Sequence, residues 1–338
     1  MKQGPEIRTV TLRDVADKAN VSAYTVSVVL NGAKSNTRVS DATRERIQKA
    51  AVEMGYRPNA LARALKRRST NILGLYFGYG HLEPHDPFHA EVLTGLQRGC
   101  EACKKDLMIH YSFHRYSVEQ VFAELAGRKI DGLVLIAAPS DPLVELVRDS
   151  NLAVVAMTDA IEGIPSVVAD DASGSRSIAE HLHDRGHRTI LYRACPGVSD
   201  SAARRQEAFV RRACELGMKT ISARTSDWKG RVEDEEAELL SRRRELGITA
   251  AVCWGDPSAN ALLRYCRAGG IRVPDDLAIV GFNGIEPAVE PAQVLTTVRA
   301  SWSNVAERAV HLLVNRLGGE DVPSLTVLPV EFYIGDTT

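Results

Sequence analysis

The sequence has no run of 18 or more apolar residues and no apolar stretch near its N-terminus. The first absence excludes a membrane-spanning helix. The second leaves no sign of a secretory leader, so the expected location is the cytoplasm. Cysteine is sparse: Cys100, Cys103, Cys195, Cys214, Cys253 and Cys266 are scattered over 338 positions. Cys100 and Cys103 form a C-x-x-C, but no second pair follows at zinc-ribbon spacing, and "GLQRGCEACKK" reads as one helix. Helix packing therefore outweighs a redox or metal role. His81, His85 and His89 stand at i, i+4 spacing, yet Pro84 and Pro87 forbid a continuous helix, so no metal is expected there. Phosphate-cradling glycines are missing too: "ILGLYFGYGHLE" gives Gly78-Tyr79-Gly80, with Glu83 where a dinucleotide loop needs its third glycine. No nucleophile elbow with Ser/His/Asp partners occurs. These gaps argue against an enzyme, and no catalytic residue, cofactor or metal is assigned.

What is present supports packed cores. Apolar residues make up 44% and charged residues 25%, and 338 residues suit two or three domains. The net charge of −1 hides an asymmetry. Residues 1–70 carry 14 Lys and Arg against 6 Asp and Glu, whereas the remainder carries 28 against 37. A basic head on an acidic body points to a polyanion as the partner of the head alone.

The head begins with "LRDVADKANVSAYTVSVVLN", two short helical patterns with a sharp break at Asn20-Val21. Thr11, with Asp14 at the N3 position, predicts one helix start and Ser22 another. Val15, Ala16 and Ala19 share a face of the first helix; Val26, Val29 and Leu30 share a face of the second; Val21 can plug the turn. A third helix, from Ser40 to Gly55, supplies Ile47, Ala50, Ala51 and Met54. This is the pattern of a helix-turn-helix, whose second helix lies in the major groove of DNA. Ala23, Tyr24, Thr25, Ser27 and Val28 lie near the start or on the outer side of that helix. Asn59 can cap a further segment, Ala60 to Leu65, which is too short to hold as a helix in water alone.

After Thr70, apolar runs alternate with helix-period segments. Strands are predicted at 72–77, 107–113, 132–138, 153–159, 166–170, 189–194, 219–225, 250–255 and 277–283. Alternation of this kind means parallel sheets covered by helices, and nine units are too many for one sheet, so two α/β lobes are expected. "WSNVAERAVHLLVNRLGG" and "LTVLPVEFYIG" are expected to recross between the lobes.

"TLRDVADKANVSAYTVSVVLNG" and "VSDATRERIQKAAVEMGYRPNALARALK" resemble the head of the lactose-repressor (LacI/GalR) family of bacterial transcription regulators. The likeness continues through "DDASGSRSIAEHLHDRGHRTI", "ARRQEAFVRRACELG" and "GIRVPDDLAIVGFN". It implies a small all-α helix-turn-helix head on a two-lobed, periplasmic-binding-protein-like body of parallel sheets. The implied division is head 1–57, hinge helix and linker 58–70, first lobe 71–162 plus about 300–322, and second lobe 163–299 plus about 323–338.

The resemblance further implies a repressor, acting as a homodimer on a near-palindromic operator in double-stranded DNA at the nucleoid. A small molecule, a sugar or related metabolite, would control it. By motif match, DNA contacts come from Thr11, Ser22, Ala23, Tyr24, Thr25, Ser27, Val28, Asn31, Arg38 and Tyr56, and from the hinge residues Asn59, Ala62, Leu65 and Lys66. Leu65 is the expected minor-groove wedge. Effector contacts come from Tyr79, Phe88, Arg205, Trp228, Asp256 and Asn283.

Some positions depart from the family pattern. Trp254-Gly255-Asp256 stands for a usual Ala-Asn-Asp, Asn283 for Asp, Ala300 for Gln, and Ala137 or Ala138 for Asn, while Val28 replaces a common base-reading Arg. A pocket changed in this way favours a less polar or anionic ligand over a standard hexose. No leucine heptad follows the last strand, which disfavours a tetramer. A solute-binding protein would need a signal peptide and no basic head, and an α/β enzyme would need a phosphate loop or catalytic constellation.

Overall fold

Each short helix of the head starts at a side-chain cap. At α1 (Leu12–Ala19) the Thr11 hydroxyl accepts from the Asp14 amide, and Asp14 accepts from the Thr11 amide at 2.7 Å. This capping box satisfies two backbone donors that the helix cannot. At α2 (Ala23–Asn31) Ser22 Oγ accepts from the Thr25 amide at 3.1 Å, and at α3 (Asp41–Glu53) Ser40 Oγ accepts from the Thr43 amide at 3.3 Å. The break between α1 and α2 is Asn20, in the left-handed region at φ 50°, which Asn tolerates better than most residues. Arg46 of α3 closes the end of α1 by donating from Nε to the Ala19 carbonyl at 2.9 Å. Val15, Ala19, Val26 and Ile47 form the sealed centre, with Val21, Val29 and Leu30 around them. α4 (Ala60–Arg67) starts where Asn59 Oδ1 accepts from the Ala62 amide at 3.2 Å.

The structure is a computed structural model and describes the chain apart from residues 1–9, 32–38, 81, 84, 110–115, 198, 226, 229 and 286–292 and the side chains of residues 60, 61 and 66. It divides into two units, Met1–Thr70 and Asn71–Thr338. Among the described residues no helix is long and apolar enough to cross a membrane.

The second unit repeats one pattern twice. β1 (Ile72–Phe77), α5 (Pro87–Cys103), β2 (Asp106–Ile109), α6 (Val118–Ala126), β3 (Gly132–Ile136), α7 (Pro142–Arg148), β4 (Ala153–Met157) and β5 (Ser166–Ala169) build the first lobe. The chain then enters the second lobe. Its elements are α8 (Asp171–Asp184), β6 (Thr189–Ala194), α9 (Asp200–Glu215), β7 (Lys219–Arg224), α10 (Asp234–Ser241), α11 (Arg243–Leu246), β8 (Ile248–Cys253), α12 (Asp256–Ala268), β9 (Ala278–Asn283) and β10 (Thr296–Ala300). It returns through α13 (Trp302–Leu317) and β11 (Leu325–Leu328), and leaves again as β12 (Val330–Tyr333).

The sheet orders are β11-β5-β4-β3-β1-β2 and β12-β10-β9-β8-β6-β7. Every pairing is parallel except β10 with β12. The near-continuous Val, Ile and Leu of β3 and β4 suit a sheet covered on both faces. α13 lies on the first sheet beside α5. There a Cβ on Gly95 would meet the Ser303 carbonyl oxygen at 2.0 Å, so only glycine permits the approach.

Two expectations need correction. β5 and β11 hydrogen-bond into the first sheet, so 166–169 and 325–328 belong to the first lobe and not the second. Short apolar strands carry no mark of which sheet they join. The second correction concerns strand ends. β3, β4 and β8 stop at 136, 157 and 253, short of the expected 138, 159 and 255. Asp159, just beyond β4, leaves the first sheet at its C-terminal edge and reaches the second lobe. The end expected for the second strand, 110–113, lies outside the described residues.

Candidate functional site

In the head, Tyr24 projects from the first turn of α2 and is 57% exposed. Thr11 and Ser22 are exposed at helix starts, and their hydroxyls are engaged in caps. Thr25 and Val28 are half-buried, as is Ser27, which accepts from Asn31 Nδ2 at 3.4 Å along α2. Ala23 and Tyr56, expected at the DNA surface, are half-buried and also pack against the head core. Both are small or amphipathic enough to serve a core this small. Ala62 is exposed and Leu65 is 84% exposed, a large apolar side chain left in water. Asn59 is occupied as the cap of α4. Arg38 lies outside the described residues, as does the side chain of Lys66.

In the body, the expected effector residues gather where both sheets end, the usual place for a ligand in α/β folds. One row runs from lobe to lobe: Tyr79 follows β1, and its ring meets Trp228 edge-on at 5.6 Å. Trp228, 41% exposed, meets Trp254 edge-on at 5.4 Å. A second row runs Phe88, Trp302, Arg205, Phe282, with Phe88 edge-on to Trp302 at 5.1 Å and the Arg205 guanidinium 3.8 Å from the centre of the Phe282 ring.

Arg205 is 4% exposed and already engaged. Nε donates to Asp171 Oδ1 at 2.7 Å and Nη1 to the Trp254 carbonyl at 2.9 Å. The fork expected to grip a ligand thus grips the lobe itself. Asp171 also accepts from Arg204, at 2.6 Å.

Asp256 is engaged in the same way. It is fully sequestered: Oδ1 accepts from the Thr297 hydroxyl at 2.7 Å and Oδ2 from the Ile285 amide at 3.0 Å. Burial pushes its carboxyl up to about 6 against the pull of those donors. Asp256 braces the strand ends. Asn283 differs. Its backbone sits at φ 117°, a region side chains rarely adopt, and its buried Oδ1 has no hydrogen-bond partner among the described residues. Strain and an unmet acceptor together mark a position held for a function.

The lobes also meet through Asp159, which sequence reading missed. This buried carboxylate after β4 accepts from the Tyr79 hydroxyl within its lobe. Across the cleft it accepts from Ser199 Oγ at 3.1 Å and the Ser201 amide at 2.8 Å, at the start of α9. Burial holds its carboxyl above the usual range, while the Tyr79, Ser201 and Ser199 donors pull it down. Beside this contact a cavity of about 700 Å³ opens, lined by Ser140, Cys195, Ser199, Asp200, Gln206 and Arg224 among others. It is large enough for a small molecule, yet none of the six expected effector residues lines it. Trp254 and Trp302 were missed too; each has a buried Nε1 without a partner. "CWGD" and "RASW" in the sequence placed both tryptophans at strand-to-helix junctions, which was the signal available.

Comparison with known proteins sets this geometry in context. Residues 11–59 match the family described as bacterial regulatory proteins, lacI family, and residues 179–338 match the periplasmic binding protein-like domain. The chain is 27% identical over 332 residues to the HTH-type transcriptional repressor PurR of Erwinia tasmaniensis, spanning 94% of this chain and 93% of that protein. It is 28% identical over 330 residues to the HTH-type transcriptional repressor CytR of Escherichia coli K12, spanning 96% and 94%. Among solved structures, it resembles the lac repressor dimer bound to operator and the anti-inducer ONPF, with a TM-score of 0.82 and 25% identity over 98% of this chain and 99% of that one. It also resembles the transcriptional regulator CelR–cellobiose complex, with a TM-score of 0.72 and 26% identity over 97% and 100%.

Proposed function

The chain belongs to the lacI family of bacterial regulatory proteins, and from that premise we propose that it represses transcription by holding operator DNA, its hold being set by a small molecule in the cleft of the body. The observation that carries the reading furthest is the contrast within the first unit. Its core is sealed by Val15, Val26 and Ile47, yet Tyr24 on α2 and Leu65 on α4 stand out in solvent. A large apolar side chain costs stability when exposed, and α4 gains from Leu65 only if a partner covers it. A DNA minor groove does so when the leucine wedges between base pairs.

The protein then acts as a homodimer in the cytoplasm, on the nucleoid. Two-fold symmetry requires mirrored half-sites, so selection from randomised duplexes should return a near-palindrome with a flexible central step. An asymmetric single half-site would count against the reading.

In the body, Phe88, Trp228 and Asn283 face the effector, and Arg205 acts mainly by holding the wall they stand on. The aromatic rows favour a ligand with at least one apolar face, stacked rather than gripped on all sides. A metabolite library, screened together for thermal stabilisation and for change in operator affinity, tests this. A molecule that stabilises the body without moving operator affinity would separate binding from control.

A further inference from the structure

The second-lobe wall of the cleft rests on a buried charge. Arg193, in β6, is fully buried, and its guanidinium reaches three segments. Nη2 donates to the Gly230 carbonyl at 2.8 Å, two residues after Trp228. Nη1 donates to Ser258 Oγ at 2.8 Å, in the first turn of α12. Nε and Nη2 both reach the buried carboxylate of Glu236, in the first turn of α10. A guanidinium without solvent is tolerated only when its donors are met, and its planar fork meets them in one geometry.

The fit of the loop is correspondingly tight. Gly230 has φ +65°, and a Cβ there would lie 2.5 Å from Ser258 Cα. From the separate connection between β6 and α9, a Cβ on Gly197 would lie 2.7 Å from Trp228 Cζ2. The indole therefore has one seat, between Gly197, Tyr79 and Trp254.

We infer that Arg193, with the Gly230 seat, is a positioning residue for effector recognition: it fixes the loop that carries Trp228, so the shape of the cleft depends on a side chain the ligand never touches. The inference rests on the reading of Trp228 as a stacking face. A salt bridge is not needed for stability at this place, since an apolar pair of similar volume often does as well. What an apolar pair cannot do is meet the carbonyl of Gly230 and so hold the loop at one height.

Acrylamide quenching of tryptophan fluorescence in the ligand-free full chain tests this. Trp228 is 41% exposed, whereas Trp254 and Trp302 are buried, so the quenchable emission reports Trp228, and Trp228→Phe identifies its share. Arg193→Lys keeps a charge opposite Glu236 but gives up the fork. Gly230→Ala strains the seat without touching the charge. In both, the Stern–Volmer constant of the Trp228 component should rise about twofold, the ratio of a free ring to one 41% exposed. Unfolding should stay cooperative, at a lowered midpoint, and operator affinity should stay as in the parent. A constant equal to the parent's in either variant overturns the inference, and if Arg193→Lys does not fold, Gly230→Ala decides it. Because no ligand is present, this outcome is separate from failure of the effector reading, which the metabolite screen on Trp228→Ala addresses.

Discussion

Removing Arg205 should weaken the body before it alters any ligand response. Its guanidinium holds Asp171 at 2.7 Å and the Trp254 carbonyl at 2.9 Å, and lies 3.8 Å from the Phe282 ring centre. Breaking a buried ion pair costs about 3–5 kcal/mol. Here Arg204 still reaches Asp171 at 2.6 Å, so the carboxylate is not abandoned and the lower end applies to the pair. The lost bond to the Trp254 carbonyl and the lost stacking on Phe282 add about 1–2 kcal/mol each. These terms share one side chain and do not add fully, so Arg205→Ala should cost about 4 kcal/mol in all. For a body of this size that lowers Tm by roughly 10 °C. Thermal and urea unfolding followed by circular dichroism would measure it, with Arg205→Lys expected to lose less because it keeps a charge beside Asp171. A loss below about 1 kcal/mol in Arg205→Ala would refute the reasoning and return Arg205 to the role of a ligand-gripping fork.

Leu65→Ala should lower specific operator affinity by a few kcal/mol and reduce DNA bending, with non-specific binding unchanged; unaltered bending in a gel-mobility assay would remove the wedge. Operator affinity should fall about a thousandfold between 50 and 200 mM salt if several phosphates are contacted, and a flat salt profile by fluorescence anisotropy would contradict a phosphate-bound head. Asp256 has a folded pKa of about 6 against an ordinary 3.8, so the folded state takes up its proton first. Its contribution to stability therefore grows as pH falls from 7 through 6 toward 4 and is lost as pH rises, by about 3 kcal/mol in all. Burial raises the Asp159 carboxyl too, which adds a slope of the same sign. Asp256→Asn should flatten the pH dependence of urea midpoints in this window, and a slope equal to the parent's would assign it to other groups.

The head was legible because its signals are local. Thr11 and Asp14 are three residues apart, and the capping box they form needs nothing else. The centre of the apolar knot, Val15, Ala16, Ala19, Val26, Ile47, Ala50 and Ala51, could be read from helical spacing. Strand starts in the body were legible for the same reason, since parallel strands buried on both faces announce themselves as short apolar runs. Which sheet a strand joins is a long-range matter. Val167 and Val168 in β5 and Leu325 and Val327 in β11 have compositions that fit either lobe, and only the pairing of β5 with β4, and of β11 with β5, places them in the first. Tyr56 could not be placed from sequence, because an aromatic ring with a polar end suits a DNA surface and the rim of a small core equally well.

The cleft was legible as a location and not as a set of bonds. Tyr79, Phe88, Arg205, Trp228 and Asn283 lie on different strand ends, and their types alone suggest contact with a ligand. Some already have protein partners that are distant in sequence, Asp171 for Arg205 and Asp159 for Tyr79, as Asp256 has Thr297. The result is a cleft that satisfies much of its own polarity. Ser199 and Ser201 of the second lobe already serve Asp159 of the first, and the Tyr79–Trp228 contact spans the same gap. An effector entering between the lobes therefore competes with interactions the protein makes by itself. It can shift the balance between lobe arrangements only by what it gains in one beyond the other. The unmet groups are where that gain is available: Asn283 Oδ1, Trp254 Nε1 and Trp302 Nε1 are buried without partners among the described residues. A ligand that offers a donor to the first and an acceptor to either indole gains bonds that the empty cleft lacks. One that merely replaces the Asp159 contacts gains nothing and leaves the hold on DNA where it was.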